Sequence, residues 1–195
     1  TATCVDAPCT SDPCGSVSDS DGVCTIIDAS TYECGCNFGF LWDDVNLTCE
    51  ALTCNATAVT GPTATLTAQD SCGGTTVYNA NGTGTSCTNY NSNGSELIYS
   101  LDVPDGNLVS ITMDADFDAS LWVTTDCLDV NGEYCVAGSD GSGAETVDFA
   151  NNTGAAATYY IIADGYSSCG TFDLTVAMGM DPCAGNPCTG LANSD

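Results

Sequence analysis

The chain has 195 residues, with 26 Asp and Glu but no Lys, Arg or His, so its formal net charge is −26. Soluble domains ordinarily carry charges of both signs, whereas here no side chain can form a salt bridge. This charge excludes nucleic acid and anionic membrane surfaces as partners, because the chain has no cation to displace phosphate counterions. Metal cations and basic proteins remain possible as ligands or partners.

The composition also removes most catalytic chemistry. Without His and Lys the chain lacks the usual general base near neutral pH and the imine-forming amine, and without Arg it lacks a bidentate anion clamp. Only carboxylate chemistry remains, and a carboxylate hydrolase would need two acids about 5–10 Å apart in a cleft. We expect a protein that is not an enzyme.

Fifteen cysteines are too many for a reduced cytosolic chain unless they bind metal, and no C-x₂-C pair of a zinc site occurs. Disulfides are therefore expected. The N-x-[ST] pattern favours a secreted, glycosylated protein and occurs at Asn46, Asn55, Asn81, Asn93 and Asn151. The longest apolar run, "AAATYYIIA", is too short to cross a bilayer. We expect an extracellular location without membrane insertion.

Residues 1–54 are dense in cysteine and poor in apolar residues, so disulfides must supply the stability that a small core cannot. Six cysteines allow fifteen connectivities, and spacing alone does not choose among them. The stretch from Asp12 to Glu50, above all "YECGCNFGF", resembles an epidermal-growth-factor-like (EGF-like) module. The resemblance implies two small hairpins and the pairs Cys9–Cys24, Cys14–Cys34 and Cys36–Cys49.

Residues 55–178 show short strands of alternating polarity separated by turns rich in Gly, Asn and Asp. The stretch "TYYIIAD" is apolar on both faces, which is typical of a central strand. The other strands predict buried faces at Leu97, Tyr99, Leu101 and Val103, at Val109, Ile111 and Met113, at Val147 and Phe149, and at Phe172, Leu174 and Val176. The fold class is therefore all-β: a small disulfide-rich module followed by an antiparallel, jelly-roll-like β-sandwich.

This second region resembles the bacterial pre-peptidase C-terminal (PPC-like) domain. The resembling stretches are "YSLDVPDGNLVSITMDADFDASLWVTTDC", "EYCVAGSDGSG" and "TYYIIADGYSSCGTFDLTV". The resemblance implies a non-catalytic accessory domain that aids secretion, stability or binding to surfaces and polymers, in several cases with calcium.

Position in the chain suggests three disulfides for the sandwich. Cys127 and Cys135 are close enough to close a hairpin-like loop, and Cys72–Cys169 and Cys54–Cys87 would tie the edges. Cys4 is then left over, which points to a partner outside this segment.

The run "MDADFDAS" predicts a calcium site. In a strand, Asp114, Asp116 and Asp118 would project from one face and repel one another, and a hard cation with oxygen ligands would relieve that repulsion. Asp140, in the turn "GSDGSG", would add a fourth ligand. The alternative is a solvated acidic loop.

The two tryptophans also allow two interpretations. Trp42 and Trp122 form either a sugar-stacking platform or part of the core.

The tail resembles the head, because Cys183-x₄-Cys188 repeats Cys9-x₄-Cys14 with the same offset of 174 residues. We expect residues 179–195 to begin a further EGF-like module of a tandem array, or to be a short linker. Cys4, Cys183 and Cys188 would then bond between units.

The leading hypothesis is a structural repeat unit of a filament or long surface fibre, whose partners are copies of itself and attached glycans. The alternative is a secreted adhesin or calcium-dependent carbohydrate-binding module.

Overall fold

A computed structural model describes residues 8–80, 87–88 and 90–180 of the chain. The chain divides into two compact units, with the boundary after Cys54, where the density of cysteines falls. Cys4, Asn81, Cys183 and Cys188, which the sequence analysis singled out, lie outside the described residues. Nearly all of the segment 179–195 lies outside them as well.

The first unit is built from two antiparallel hairpins. Strand β1 (Ser20–Ile26) pairs with β2 (Tyr32–Cys36), and β3 (Phe40–Asp43) pairs with β4 (Thr48–Ala51), after two 3₁₀ turns at Pro8–Ser11 and Pro13–Ser16. Its disulfides are those that the EGF-like resemblance implied: Cys9–Cys24, Cys14–Cys34 and Cys36–Cys49. The buried apolar residues described in this unit are themselves cysteines, Cys14, Cys34 and Cys49. The disulfides are therefore both the cross-links and the core.

An aspartate organises the turn of each hairpin. The carboxylate of Asp28 accepts hydrogen bonds from the backbone N–H groups of Ser30 at 2.7 Å and Thr31 at 2.9 Å. These bonds hold the pKa of Asp28 at about 2. The carboxylate of Asp43 does the same for Val45 and Asn46, at 2.9 and 3.1 Å. Short Asp side chains favour such turns because they replace a backbone acceptor.

The second unit consists of two facing sheets. In chain order its strands are β5 (Thr57–Val59), β6 (Thr63–Asp70), β7 (Leu97–Val103), β8 (Asn107–Ala115), β9 (Ala119–Thr124), β10 (Cys135–Ser139), β11 (Glu145–Ala150), β12 (Ala157–Gly165) and β13 (Thr171–Met180). One sheet has the order β10-β9-β12-β7-β5 and the other the order β11-β8-β13-β6. From β6 to β13 the chain alternates between the sheets except at the β9–β10 hairpin. This is jelly-roll connectivity, and the predicted fold class is confirmed.

The core lies between the two sheets and follows the predicted alternation. Every apolar residue that the strand patterns assigned to an inner face belongs to this cluster, and nearly all of them are buried. Strand β12 lies between β9 and β7, as predicted for a central strand. Ile161 faces the core between the sheets, whereas Ile162 lies on the opposite face, and both are fully buried.

The opposite face of the five-stranded sheet is buried by the chain between β6 and β7. We call the described residues within 74–95 the cover segment. Its Tyr78 and Ala80 pack on Trp122 of β9 and Ile162 of β12. The Tyr78 hydroxyl donates a hydrogen bond to the carbonyl oxygen of Cys127 at 2.6 Å. Trp122 is fully buried, so it is a core residue and cannot form a sugar-stacking platform.

The disulfides of the sandwich are only partly those expected. Cys72–Cys169 is confirmed. Cys135 is bonded to Cys87, so the predicted pairs Cys127–Cys135 and Cys54–Cys87 are both wrong. The reason is the path of the cover segment, which crosses the sheet and places the Cys87 sulfur 3.7 Å from the Ala137 carbonyl oxygen on β10. The separation of two cysteines along the chain gives no information about that path.

We expect the double variant Cys72→Ser, Cys169→Ser to lose about 2–5 kcal/mol of unfolding free energy. The bond joins cysteines 97 residues apart, and a long closed loop restricts the unfolded chain strongly. Urea denaturation followed by near-ultraviolet circular dichroism measures the change. An unaltered midpoint would show that this disulfide contributes nothing to stability.

Candidate functional site

A row of polar side chains crosses four strands on the covered face of the five-stranded sheet. Asp164 of β12 lies directly opposite Ser120 of β9. Continuing the β12–β7 and β10–β9 registers by one residue sets Glu96 opposite Asp164 on one side and Asp140 opposite Ser120 on the other. Since residues directly opposite each other share a face of the sheet, the row reads Glu96, Asp164, Ser120, Asp140.

The cover segment seals one end of this row. One carboxylate oxygen of Glu96 accepts hydrogen bonds from the Thr75 hydroxyl at 2.6 Å and the Val77 amide at 2.9 Å. The Ser92 hydroxyl donates to the Ser120 hydroxyl at 2.8 Å. Glu96, Ser120 and Asp164 are consequently buried, with exposed fractions of 1%, 0% and 0%.

Two of these buried carboxyl groups are only partly satisfied. Asp164 Oδ2 and Glu96 Oε2 have no hydrogen-bond partner. Burial raises the pKa of Asp164 to about 8, and the nearby charges of Glu96 and Asp140 act in the same direction. Burial likewise raises the pKa of Glu96. A pKa of about 8 favours the protonated form of Asp164 at neutral pH, and the chain has no cationic side chain that would stabilise the charged form.

Asp129 shows how a buried carboxylate is satisfied elsewhere in the same unit. It is 1% exposed. Its oxygens accept hydrogen bonds from the Thr124 hydroxyl at 2.9 Å and from the amides of Glu133 at 2.7 Å and Tyr134 at 2.8 Å. Donors surround Asp129, whereas Asp164 has one backbone donor, the amide of Gly165 at 2.6 Å. Asp164 is therefore unusual because it is as deeply buried as Asp129 but accepts fewer hydrogen bonds.

The other end of the row forms the wall of a pocket of about 360 Å³. Its lining residues are Tyr90, Asp118, Asp140, Gly141, Ser142 and Tyr166. Burial raises the pKa of Asp140, and the charges of Asp118 and Glu145 raise it further. Tyr90 and Tyr166 are 55% and 42% exposed. Their rings meet edge to face, with centroids 6.2 Å apart. The pocket thus combines concentrated negative charge with accessible aromatic surface.

The four aspartates predicted as one calcium set lie at two places. Strand β8 ends at Ala115, so the run Asp114 to Asp118 does not continue as one strand. Asp114 and Asp116 line a separate pocket of about 330 Å³ together with Asp173, and both Asp116 oxygens accept hydrogen bonds from Thr171. Asp118 and Asp140 share the tyrosine-lined pocket. Within the described parts of the chain, no group of three or more acidic or cysteine side chains is placed to hold a metal ion.

The first unit has a larger opening, of about 700 Å³. Trp42 lines it with Tyr32, and their ring centroids are 6.1 Å apart. Glu33 and Asp44 contribute carboxylates. Of the two tryptophans considered for sugar stacking, only Trp42 is near an open surface.

Sequence reasoning found Asp118 and Asp140 but missed Glu96, Asp164, Tyr90 and Tyr166. A signal for Asp164 was present, because it ends a strand that is apolar on both faces, so an acid there is buried on one face or the other. No such signal marks Tyr90. It lies in the cover segment, whose residues show no strand periodicity, so its position follows from the packing of that segment on the sheet.

A scan against models of known protein families found no match to this chain, and a search of curated proteins found none either.

We expect the stability of the protein to fall as the pH rises from 5.5 to 8. The folded pKa of Asp164 is about 8, against an ordinary value of 3.8 for an aspartate, so in this range the folded state holds a proton that the unfolded state has released. The free energy of unfolding then decreases by up to about 1.4 kcal/mol per pH unit for this one group. Urea denaturation at several pH values measures the slope.

Asp164→Asn should flatten this dependence because it removes the titration and keeps the shape. The matched control is Asp148→Asn, which changes an exposed carboxylate on β11 and should retain the wild-type slope. An Asp164→Asn variant with the wild-type slope would contradict the assignment.

The acceptor asparagines differ sharply in access. Asn46, Asn55 and Asn93 are exposed. Asn151 is fully buried, and its side-chain nitrogen donates hydrogen bonds to the carbonyl oxygens of Val103 and Ala155, both at 2.8 Å. A glycan would replace one of the two hydrogens on this nitrogen, so at least one of these bonds would be lost, and the buried position leaves no room for the sugar.

We therefore expect glycans on native protein at exposed acceptors and none at Asn151. Peptide mass spectrometry with and without enzymatic deglycosylation measures occupancy at each site. Substantial occupancy of Asn151 in folded protein would contradict the buried position of its side chain.

Proposed function

We propose that this chain is a disulfide-stabilised, non-catalytic structural unit of an extracellular filament or long surface fibre. The observation that carries the proposal is that each unit is closed by its own disulfides, while no salt bridge is available to either. Covalent links keep their strength regardless of salt and pH, which suits a permanent exposed material.

The disulfides indicate an extracellular or secreted protein. No helical segment in the described part of the chain is long and apolar enough to cross a membrane. The absence of Lys and Arg makes the chain resistant to trypsin-like enzymes, which cleave after those residues. This resistance fits a protein that is exposed to extracellular proteases. Exposed acceptor asparagines and one-signed charge support solubility of the exposed surface.

One feature of the sequence and one of the structure support an array over a single particle. The spacing Cys183-x₄-Cys188 repeats Cys9-x₄-Cys14, and the first unit has the hairpins and pairing expected of an EGF-like spacer. In this proposal the sandwich is the body of each link and the small unit joins successive links. Attached glycans cover the exposed acceptor sites.

The proposal includes the absence of catalysis. Asp118 and Asp140 share a pocket, and a carboxylate hydrolase would need two such acids on either side of its substrate. However, Asp140 Oδ2 is buried within the wall, and a general acid must come within about 3 Å of the atom that it protonates. The pocket supports binding better than proton transfer.

We expect the native material to appear as filaments or very long chains in negative-stain electron micrographs. Sedimentation should give species far heavier than the 19.8 kDa of this chain. A monodisperse particle of about 20 kDa under native conditions would refute the proposal. Repeating the sedimentation after full reduction shows whether the links are covalent or depend on contact.

A further inference from the structure

Four segments line the tyrosine-lined pocket, and hydrogen bonds join three of them directly. The amides of Asn93 and Gly94 donate to the carbonyl oxygens of Tyr166 and Gly165, at 3.0 and 2.8 Å. The amide of Tyr166 in turn donates to the Asp118 carbonyl oxygen at 2.9 Å. The cover segment, the β8–β9 turn and the β12–β13 turn are thereby joined around the pocket.

Glu145 fixes the fourth segment, the β10–β11 turn. One of its oxygens accepts a hydrogen bond from the Gly141 amide at 2.9 Å, and the other accepts from the Ser139 hydroxyl at 2.5 Å. Glu145 is 2% exposed, so this anchor is internal. A pocket whose walls are fixed in this way loses little conformational entropy when it binds.

The pocket has negative charge that the protein does not neutralise by itself. Asp118 is exposed at its surface, and Asp140 lies in its wall with one oxygen buried and unpartnered. Behind them, on the same face of the sheet, Asp164 is fully buried and also has an unpartnered oxygen. The whole chain supplies no Lys, Arg or His, so the compensating charge comes from outside the chain, as a ligand, a counter-ion or a proton.

We propose that this pocket binds an alkylammonium group, held by the Asp118 carboxylate and by the faces of Tyr90 and Tyr166. Carboxylates bind ammonium donors through charge-assisted hydrogen bonds, and aromatic rings attract cations. The ammonium group comes from a lysine side chain or from an amino sugar. This inference stands independently of the proposed fibre.

Two other ligand classes fit the same pocket less well. Calcium prefers six to eight oxygen ligands, and in the described residues no three acidic side chains are placed to hold a metal. The tyrosine rings would add nothing to a calcium site. A neutral sugar would stack on the rings and donate hydroxyl hydrogen bonds, but it would leave the negative charge of the wall uncompensated.

The test uses nuclear magnetic resonance titration of the intact protein at fixed ionic strength. Nα-acetyl-lysine methylamide and glucosamine are the ammonium probes. Their matched controls are Nα-acetyl-norleucine methylamide and N-acetylglucosamine, which keep the shapes and lack the charge. Calcium chloride is titrated separately. We expect saturable shifts around the pocket with one or both ammonium probes, and the stronger of the two identifies the source.

Asp118→Asn should weaken the binding of the ammonium probe about tenfold, since it removes the charge-assisted contact. Asp114→Asn is the matched control. It removes the same charge from an exposed residue of the other acidic pocket and should change the affinity by less than about twofold if binding is local. Unchanged circular dichroism verifies that both variants fold.

Several outcomes would overturn the proposal. They are equal binding of the charged and uncharged probes, no saturable binding, equal weakening by both variants, and calcium binding at the pocket without ammonium binding. Equal shifts from glucosamine and N-acetylglucosamine would instead assign the pocket to a neutral sugar. None of these results depends on whether the protein forms filaments.

Discussion

The structure depends on one electrostatic constraint: negative charge without any cationic side chain to neutralise it. Most carboxylates meet it by lying in solvent or by accepting several hydrogen bonds, as Asp28, Asp43 and Asp129 do. These bonds also shape the turns and loops of the chain. The acids that cannot find enough donors are concentrated on one face of one sheet. There burial raises the pKa of Asp164 to about 8, which favours its protonated form at neutral pH.

The same constraint explains why covalent bonds carry so much of the architecture. The first unit has almost no apolar core, and its buried apolar residues are half-cystines. The second unit has a true core between two sheets, yet it also ties the cover segment to the sheet through Cys87–Cys135. That bond adds a covalent link to the packing and hydrogen bonds that already hold the cover segment over Trp122 and the buried acids.

Alternation of side chains predicted the sandwich well. Each strand has one apolar face, and placing those faces together leaves few arrangements, so the core residues from Leu97 to Val176 followed directly. Cys72–Cys169 was suggested by position in the chain, and the structure gives its basis, because the two cysteines flank strands β6 and β13, which pair. The pairing of Cys87 was not predictable. It depends on an irregular segment that has no periodicity and whose position follows from packing on Trp122 and Ile162.

The sequence by itself determined the composition of charge, the strand faces, the reliance on disulfides and the division near Cys54, because these depend on residue types and local periodicity. Only the tertiary structure decided which acids share an environment. The run Asp114 to Asp118 separated into two pockets where β8 ends. Glu96 and Asp164, 68 positions apart in the sequence, became cross-strand neighbours. Register between distant strands sets such neighbours, and it arises from the packing of the whole sheet.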